Sequence, residues 1–247
     1  MKKHEVTAEN DYLDDRFNQE RVRMHRQLYS AISHDLKTPL ASIIGALEIY
    51  QRMKEKLSEE KRDALLLTAL QEAYRLDYFV TNILDMGKLE NDMVRAKKEP
   101  IHIGECIKNC IAGLDNRLRD SHVTTRALSG EVTIASDAPL LCRALTILLD
   151  NAVKYGGKPA HVTVSYGLDA TGQCFIEVGD NGPGIPPAQM HTVFDKYTRF
   201  AKRDQQHAGT GLGLAICREI MRLLGGTVEV AAQSPNAGAT FVLKFSA

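Results

Sequence analysis

Between residues 58 and 90, apolar or small residues recur at Leu66, Ala69, Ala73, Leu76, Val80, Ile83 and Gly87. The gaps alternate three and four, the mark of a helix with one continuous seam. Residues 12–53 carry a second helical stripe through Ile32, Leu36, Leu40, Ile43, Leu47 and Tyr50. Lys54–Glu60 between them is polar, and Ser58 ahead of Glu59–Lys61 reads as a new helix start. Two long amphipathic helices on a short turn make a hairpin, and a lone hairpin leaves its apolar stripe half covered. Pairing two copies into a four-helix bundle would bury it, so the pattern predicts a homodimer.

The periodicity changes at Lys97-Lys98-Glu99-Pro100, where proline disfavours helix in the residue before it. Short β-like runs follow at His122–Ala127, Glu131–Ala135, His161–Tyr166, Cys174–Gly179, Thr227–Ala231 and Thr240–Phe245. Helical patterns fall between them at Ile103–Leu118, Ala138–Tyr155 and Leu212–Leu224. That mixture predicts an α+β sandwich, one sheet covered by helices on one face.

Charge excludes some functions. Lys+Arg and Asp+Glu both number 31, so no global field points to nucleic acid or a membrane surface. No run approaches the ~18 apolar residues of a membrane span. MKKHEVTAENDYLDDRF has no apolar core behind its lysines and does not read as a signal peptide. The five cysteines form no CxxC pair and read as small buried hydrophobes of a reducing compartment rather than a metal or redox site.

The first chemical signal is Ser33-His34-Asp35-Leu36-Lys37-Thr38-Pro39-Leu40. On a helical wheel of about 100° per residue, His34 falls opposite the apolar stripe and faces solvent. Thr38 is one turn on, on the same face, and Asp35 adjoins it. Pro39 has no N–H, so the Asp35 carbonyl lacks its usual partner and a bend is expected. An exposed His beside an Asp is most often a solvated surface pair. The chemistry nevertheless suits phosphoryl transfer: one imidazole nitrogen can attack phosphorus while the other donates to Asp35.

Four segments of the second half suit a nucleotide. In ALTILLDNAVKY (144–155), Asn151 and Lys154 share a helix face; an Asn carbonyl suits Mg²⁺ and a lysine suits phosphate. Asp180-Asn181-Gly182-Pro183-Gly184-Ile185-Pro186 turns sharply at a strand end, where a carboxylate can accept from an adenine amine. VFDKYTRF (193–200) supplies aromatics that can pack a loop down. Gly209-Thr210-Gly211-Leu212-Gly213-Leu214 leads into a helix, baring backbone N–H groups at a positive helix end. Lys196–Ala208, polar, basic and Gln-rich, reads as a mobile lid. Each segment alone has a plain reading as surface helix, turn or core packing.

Taken in order, these segments resemble the motif set of sensor histidine kinases. SHDLKTPL resembles the H box, NAVKY the N box, DNGPGIP the G1 box, VFDKYTRF the F box and GTGLGLAI the G2 box. The resemblance covers nearly the whole chain from about residue 12. It implies a dimerisation and phosphoacceptor hairpin followed by a catalytic domain of the Bergerat ATP-binding fold. The implied organisation is a signalling-helix tail over 1–22, the hairpin over 23–93, a linker over 94–100 and the ATP-binding domain over 101–247; because the catalytic domain must swing to reach the hairpin, the 90–100 stretch is expected to be mobile. By position, His34 is implied to be the phosphoacceptor, Asp35 its general base and Thr38 the residue that positions water for dephosphorylating a response regulator. Asn151 is implied as Mg²⁺ ligand, Lys154 as phosphate contact, Tyr155 as adenine-pocket residue and Asp180 as adenine-reading carboxylate. Gly182 and Gly184 would let the nucleotide approach. Gly209, Gly211 and Gly213, with Leu212 among them, would shape the lid hinge and phosphate cradle. Many relatives carry a second Asn where this chain has Ile147.

The implied activity is Mg·ATP-dependent phosphorylation of His34 and transfer to an aspartate on a response-regulator receiver domain, with phosphatase activity as a further implied function. The implied setting is the cytoplasmic portion of a parent anchored in the bacterial inner membrane, or a kinase signalled by a separate sensor protein; no nucleic-acid partner is expected. Two rivals stand beside it. An ATP-driven clamp, as in related chaperones and topoisomerases, has no need of an exposed His before Pro on a dimeric hairpin. A non-catalytic scaffold with a vestigial site would not need Asn151, Asp180 and the three glycines.

Overall fold

The computed structural model describes residues 32–114, 118, 121–157, 159–198, 211–231 and 238–245. The expected helix tail (1–22 and Tyr12–Gln27), Gly209 and most of the Lys196–Ala208 stretch lie outside the described residues. The chain divides into two compact units, one ending at Thr81 and one beginning at Asn82.

In the first unit, helix α1 (32–53) and helix α2 (Glu59–Glu90) are joined by a turn in which the Lys56 and Leu57 N–H groups both donate to the Met53 carbonyl. The helical run continues through Pro39, which is buried. On α2 a covered line runs through Leu65, Ala69, Glu72, Leu76 and Phe79, spaced four, three, four, three. Leu66, Leu67, Leu70, Tyr74 and Val80 form a second apolar flank that a single chain leaves exposed. The seam expected at Leu66, Ala69, Ala73, Leu76 and Val80 therefore runs between two faces. α1 behaves alike: Pro39, Ile43, Ala46 and Tyr50 are covered, while Leu40, Ile44 and Leu47 are exposed. Two apolar flanks per helix are what a helix needs to meet one neighbour within the chain and another beyond it.

The second unit opens within the last turns of α2. Met86 and Leu89 enter its core, and Arg143 reaches back to donate from Nη2 to Asn82 Oδ1 (2.7 Å) and from Nε to Asp85 Oδ2 (2.9 Å). Residues 94–100, expected to form a mobile linker, are tied down here. Val94 and Ala96 pack on the core, the Lys97 N–H donates to Asp137 Oδ2 (2.8 Å), and strand β1 (Glu99–His102) pairs antiparallel with β3 (Thr133–Ser136).

A five-stranded sheet carries the rest, in the order β2 (Ser121–Ala127), β4 (Ala160–Leu168), β5 (Cys174–Gly179), β7 (Thr240–Phe245), β6 (Gly226–Val230). β2 and β4 are parallel; the other pairs are antiparallel. Alternation decides which face is covered. Val164, Val178 and Phe241 align across three strands and are buried, whereas Thr163, Ser165 and Glu177 on the opposite face keep partial exposure. Helix α4 (Ala138–Tyr155) packs on both α3 (Ile103–Gly113) and α5 (Gly213–Leu224), α4 lies on β4 and β5, and α5 lies on β6. This is the α+β sandwich expected from the pattern. Among the described residues, no helix is long and apolar enough to cross a membrane.

α4 is set by local chemistry. Asp137 caps it, its Oδ1 accepting from the Leu140 N–H (3.0 Å), with proline in the first turn and Gly156 after the last. One face of α4, through Leu141, Leu145, Leu148 and Ala152, is buried and pins the helix to the sheet.

Cysteines Cys106, Cys174 and Cys217 are buried and free, as expected. Cys110 of α3 and Cys142 of α4 depart from that expectation: they meet sulfur to sulfur, with Cα atoms 5.5 Å apart.

Candidate active site

On α1, the His34 side chain keeps 81% of its surface exposed, as the helical wheel predicts. Its Nδ1 lies 3.3 Å from Asp35 Oδ1, and the Asp35 carboxyl is itself mostly covered. A carboxylate at Nδ1 holds the proton there and leaves Nε2, pointing away, as the nucleophilic nitrogen. Thr38 lies one turn on, and its hydroxyl donates to the His34 carbonyl (3.1 Å). His34, Asp35 and Thr38 thus sit together on one helix segment.

In the second unit, Asn151, Lys154 and Tyr155 share one half-buried face of the last turns of α4. Lys154 Nζ donates to the Tyr155 hydroxyl (2.8 Å) and lies 4.6 Å from its ring centroid. Asn151 has no hydrogen bond from its side chain to another described residue, so its carboxamide oxygen is available to a hard cation. Among the described residues no group of three or more His, Cys, Asp or Glu side chains is placed to hold a metal. Ile147, which stands where many relatives carry Asn, is fully buried in the core, so the position faces packing rather than the site.

Asp180 follows β5 directly. Its Oδ1 accepts two backbone N–H bonds, from Gly182 (2.7 Å) and Ala239 (3.1 Å), and its own N–H donates to the Ala239 carbonyl (2.9 Å). Oδ2 is left to accept from a ligand. Gly182 is pressed against α4: a Cβ there would lie 2.3 Å from the Tyr155 carbonyl oxygen and 2.8 Å from Asp180 Oδ1. This close approach joins the Asp180 turn to the helix end carrying Tyr155, Lys154 and Asn151. Gly184 sits at φ +74°, a conformation that glycine takes without strain.

Gly211 meets a different partner. Its carbonyl accepts from the Tyr197 N–H (2.8 Å), and a Cβ on it would lie 2.8 Å from the Tyr197 backbone. Tyr197 (φ +62°) and Gly211 (φ +64°) are both left-handed. Phe194, in the same segment as Tyr197, is buried edge-on against Phe241, with centroids 6.2 Å apart. Leu212 is buried and precedes α5, which starts at Gly213 with no side-chain cap. The first N–H groups of α5 thus have no partner within the helix and suit an anion.

Gly238 is a residue that the sequence reading missed. A Cβ there would lie 1.8 Å from the Asp180 carbonyl oxygen. The backbone of 238–239 therefore buttresses the carboxylate from behind. The available signal was a glycine just ahead of the last β-like run.

Burial pushes the Asp180 carboxyl above its usual range, against the pull of the Gly182 and Ala239 N–H groups. Between the ordinary Asp value near ~3.9 and the raised folded value, the folded state holds an extra proton, so stability falls as pH climbs through that window. Above it the cost of burying the charge is fully expressed. An amine donor bound at Asp180 would run the other way, because its acceptor would be the carboxylate. The affinity for ADP, followed by calorimetry, should weaken on acidification with a midpoint above the ordinary Asp value. Asp180→Asn should bind about 30–100-fold more weakly and show no such midpoint. Its oxygen must serve the two backbone N–H groups, which turns an NH₂ toward the adenine amine. Wild-type affinity in the Asn variant would remove Asp180 from adenine recognition.

Comparison with known proteins places the chain in a family. Residues 24–92 match the family of the His Kinase A (phospho-acceptor) domain. Residues 136–247 match the histidine kinase-, DNA gyrase B- and HSP90-like ATPase family. Sensor protein KdpD of Escherichia coli is 34% identical over 92% of this chain and 25% of its own length. The signal transduction histidine-protein kinase ArlS of Staphylococcus aureus is 30% identical over 94% of this chain and 50% of its own. The chain thus spans a quarter to a half of the length of these relatives. The fold is shared with histidine kinase ThkA, solved in complex with response regulator protein TrrA, at a TM-score of 0.68 and 20% identity over 95% of this chain and 65% of that one. With a phospho-acceptor domain followed by an ATPase domain of the family that histidine kinases share, the chain belongs to the sensor histidine kinases.

Proposed function

We propose that this chain transfers the γ-phosphoryl group of ATP to Nε2 of His34 and then to an aspartate of a response-regulator receiver domain. The observation that carries the reading is the His34–Asp35 pair, an exposed imidazole with a carboxylate 3.3 Å from its other nitrogen, on a chain that also holds an ATPase domain. Asp35 holds the proton on Nδ1 and stabilises the charge that grows on the ring as Nε2 attacks. Thr38, on the same face, positions water for the reverse, dephosphorylating reaction on the regulator.

On the nucleotide side, Asp180 Oδ2 accepts from the adenine amine, Tyr155 walls the base, and Gly182 and Gly184 keep the approach clear. Lys154 and the α5 N-terminus at Gly211-Leu212-Gly213 meet the phosphates, with Gly209 preceding them in the chain. Asn151 is the group that fits Mg²⁺. A lone carboxamide with no carboxylate cluster suits an ion that takes its other ligands from phosphate and water. Mg²⁺ held there would neutralise phosphate charge. Catalysis rests on placement and electrostatics.

The exposed apolar flanks of α1 and α2 support a homodimer of hairpins, with residues 23–93 as the phosphoacceptor domain and 101–247 as the ATP-binding domain. The ThkA–TrrA complex, which shares this fold, supports a receiver domain as partner. The spans of KdpD and ArlS beyond the matched part leave room for a sensing region in a longer parent protein, which we place at the bacterial inner membrane.

Incubation of the purified chain with Mg²⁺ and γ-labelled ATP tests the reading. Label stable in alkali and lost in acid is expected, since a phosphoramidate has that stability. Acid-stable label, or ATP bound with no label in any subunit, would overturn it in favour of a hydroxyl acceptor or a scaffold.

A further inference from the structure

Far along α4 from Asn151, a cavity of about 550 Å³ opens beside β1 and the starts of α3 and α4. Cys106, Cys110 and Cys142 all line it, together with Asn109, His102 and Ser136. Ser136 is 1% exposed, and its Oγ has no hydrogen-bond partner among the described residues.

Of the three cysteines, Cys110 and Cys142 are brought together. Cys110 is buried, Cys142 is partly open, and their Cα separation of 5.5 Å lies inside the roughly 4.4–6.8 Å that a disulfide spans. The backbone therefore need not move for a bond to form. Cys106 lies one turn before Cys110 on α3, and burial pushes its thiol up, which keeps it protonated.

We propose that Cys110 and Cys142 form a reversible dithiol modification site whose oxidant is a small hydroperoxide admitted through this cavity. The Cys142 thiolate, the more open of the two, attacks one peroxide oxygen. The O–O bond breaks and the leaving hydroxide takes the proton that Cys142 released, giving water and a sulfenic acid. The Cys110 thiolate then attacks the Cys142 sulfur, the S–O bond breaks, and a second water leaves with the Cys110 proton. In sum, two thiols lose two electrons and two protons to one hydrogen peroxide, giving one disulfide and two waters. The bond staples α3 to the helix that presents Asn151, Lys154 and Tyr155, and a thiol reductant removes it. The proposal does not depend on the kinase reading.

The test treats the folded, pre-reduced chain with hydrogen peroxide, alkylates remaining thiols in denaturant, and maps linked peptides by mass spectrometry. A Cys110–Cys142 peptide is expected, with Cys106, Cys174 and Cys217 alkylated, and dithiothreitol should restore all five thiols. The oxidised chain should melt several degrees above the reduced one, because the link closes a loop of separation 32 in the unfolded state. Cys142→Ser should show neither the link nor the shift. Since thiol mapping is done on the wild-type chain, a poorly folding variant leaves the result readable. Two alkylated cysteines at 110 and 142 after peroxide, a Cys106–Cys142 link, or sulfinic acid with no link would each overturn the proposal.

Discussion

His34→Gln should abolish phosphoryl labelling outright while leaving ATP binding and the melting temperature near wild type. Glutamine keeps a polar group of similar reach but has no nucleophilic nitrogen, so the loss reflects chemistry rather than folding. The side chain is 81% exposed and, among the described residues, its partner is the neighbouring Asp35, so the change in stability should stay within about 0.5 kcal/mol. Single-turnover labelling gives the comparison. Asp35→Asn should slow it by roughly 10²–10³-fold without changing ATP affinity, as expected for a lost proton acceptor. Label in His34→Gln at the wild-type level would move the acceptor elsewhere. A wild-type rate in Asp35→Asn would reduce the 3.3 Å pair to a surface contact.

Gly182→Ala should damage both stability and nucleotide affinity. The new Cβ would meet the Tyr155 carbonyl oxygen at 2.3 Å and Asp180 Oδ1 at 2.8 Å. Neither is the yielding end of a flexible side chain, so the Asp180 turn must lift off α4. Overpacking against backbone costs about 2–3 kcal/mol. The shift also drags the Gly182 N–H from Asp180 Oδ1, unseating the carboxylate. ADP affinity should fall by two orders of magnitude or more, because a misplacement of about 1 Å suffices for that loss. Calorimetry and a thermal melt read both effects. A variant that melts and binds as wild type would show the turn and the helix end to be uncoupled.

Most of the second unit could be read from the chain because its signals are local. α4 has an Asp cap, a proline in its first turn and a following glycine, and its predicted range of Ala138–Tyr155 is the observed one. β5 and β7 likewise stand where alternation places them. What was missed depends on partners distant in sequence. β1, with its charge and proline, reads as a boundary and becomes a strand only through pairing with β3. The single seam expected on α2 averages two faces, because both flanks are apolar and only tertiary packing decides which is covered first. His34, Asp35 and Thr38 sit on one helix segment and were fully legible. The Gly182–Tyr155 approach and the Gly238 buttress behind Asp180 involve chain crossings that no spacing announces.

The hydrogen bond between Tyr197 and Gly211 bears on how this lineage can diversify. It clamps the two edges of one chain interval at a fixed separation, so the length between them is uncoupled from the sheet and from α5. Closure entropy grows only with the logarithm of the length closed, by about 0.6 kcal/mol for each doubling. Insertions and deletions there should therefore be among the most freely accepted in evolution. The same interval is the place to graft a fluorescent reporter, with its ends already held side by side.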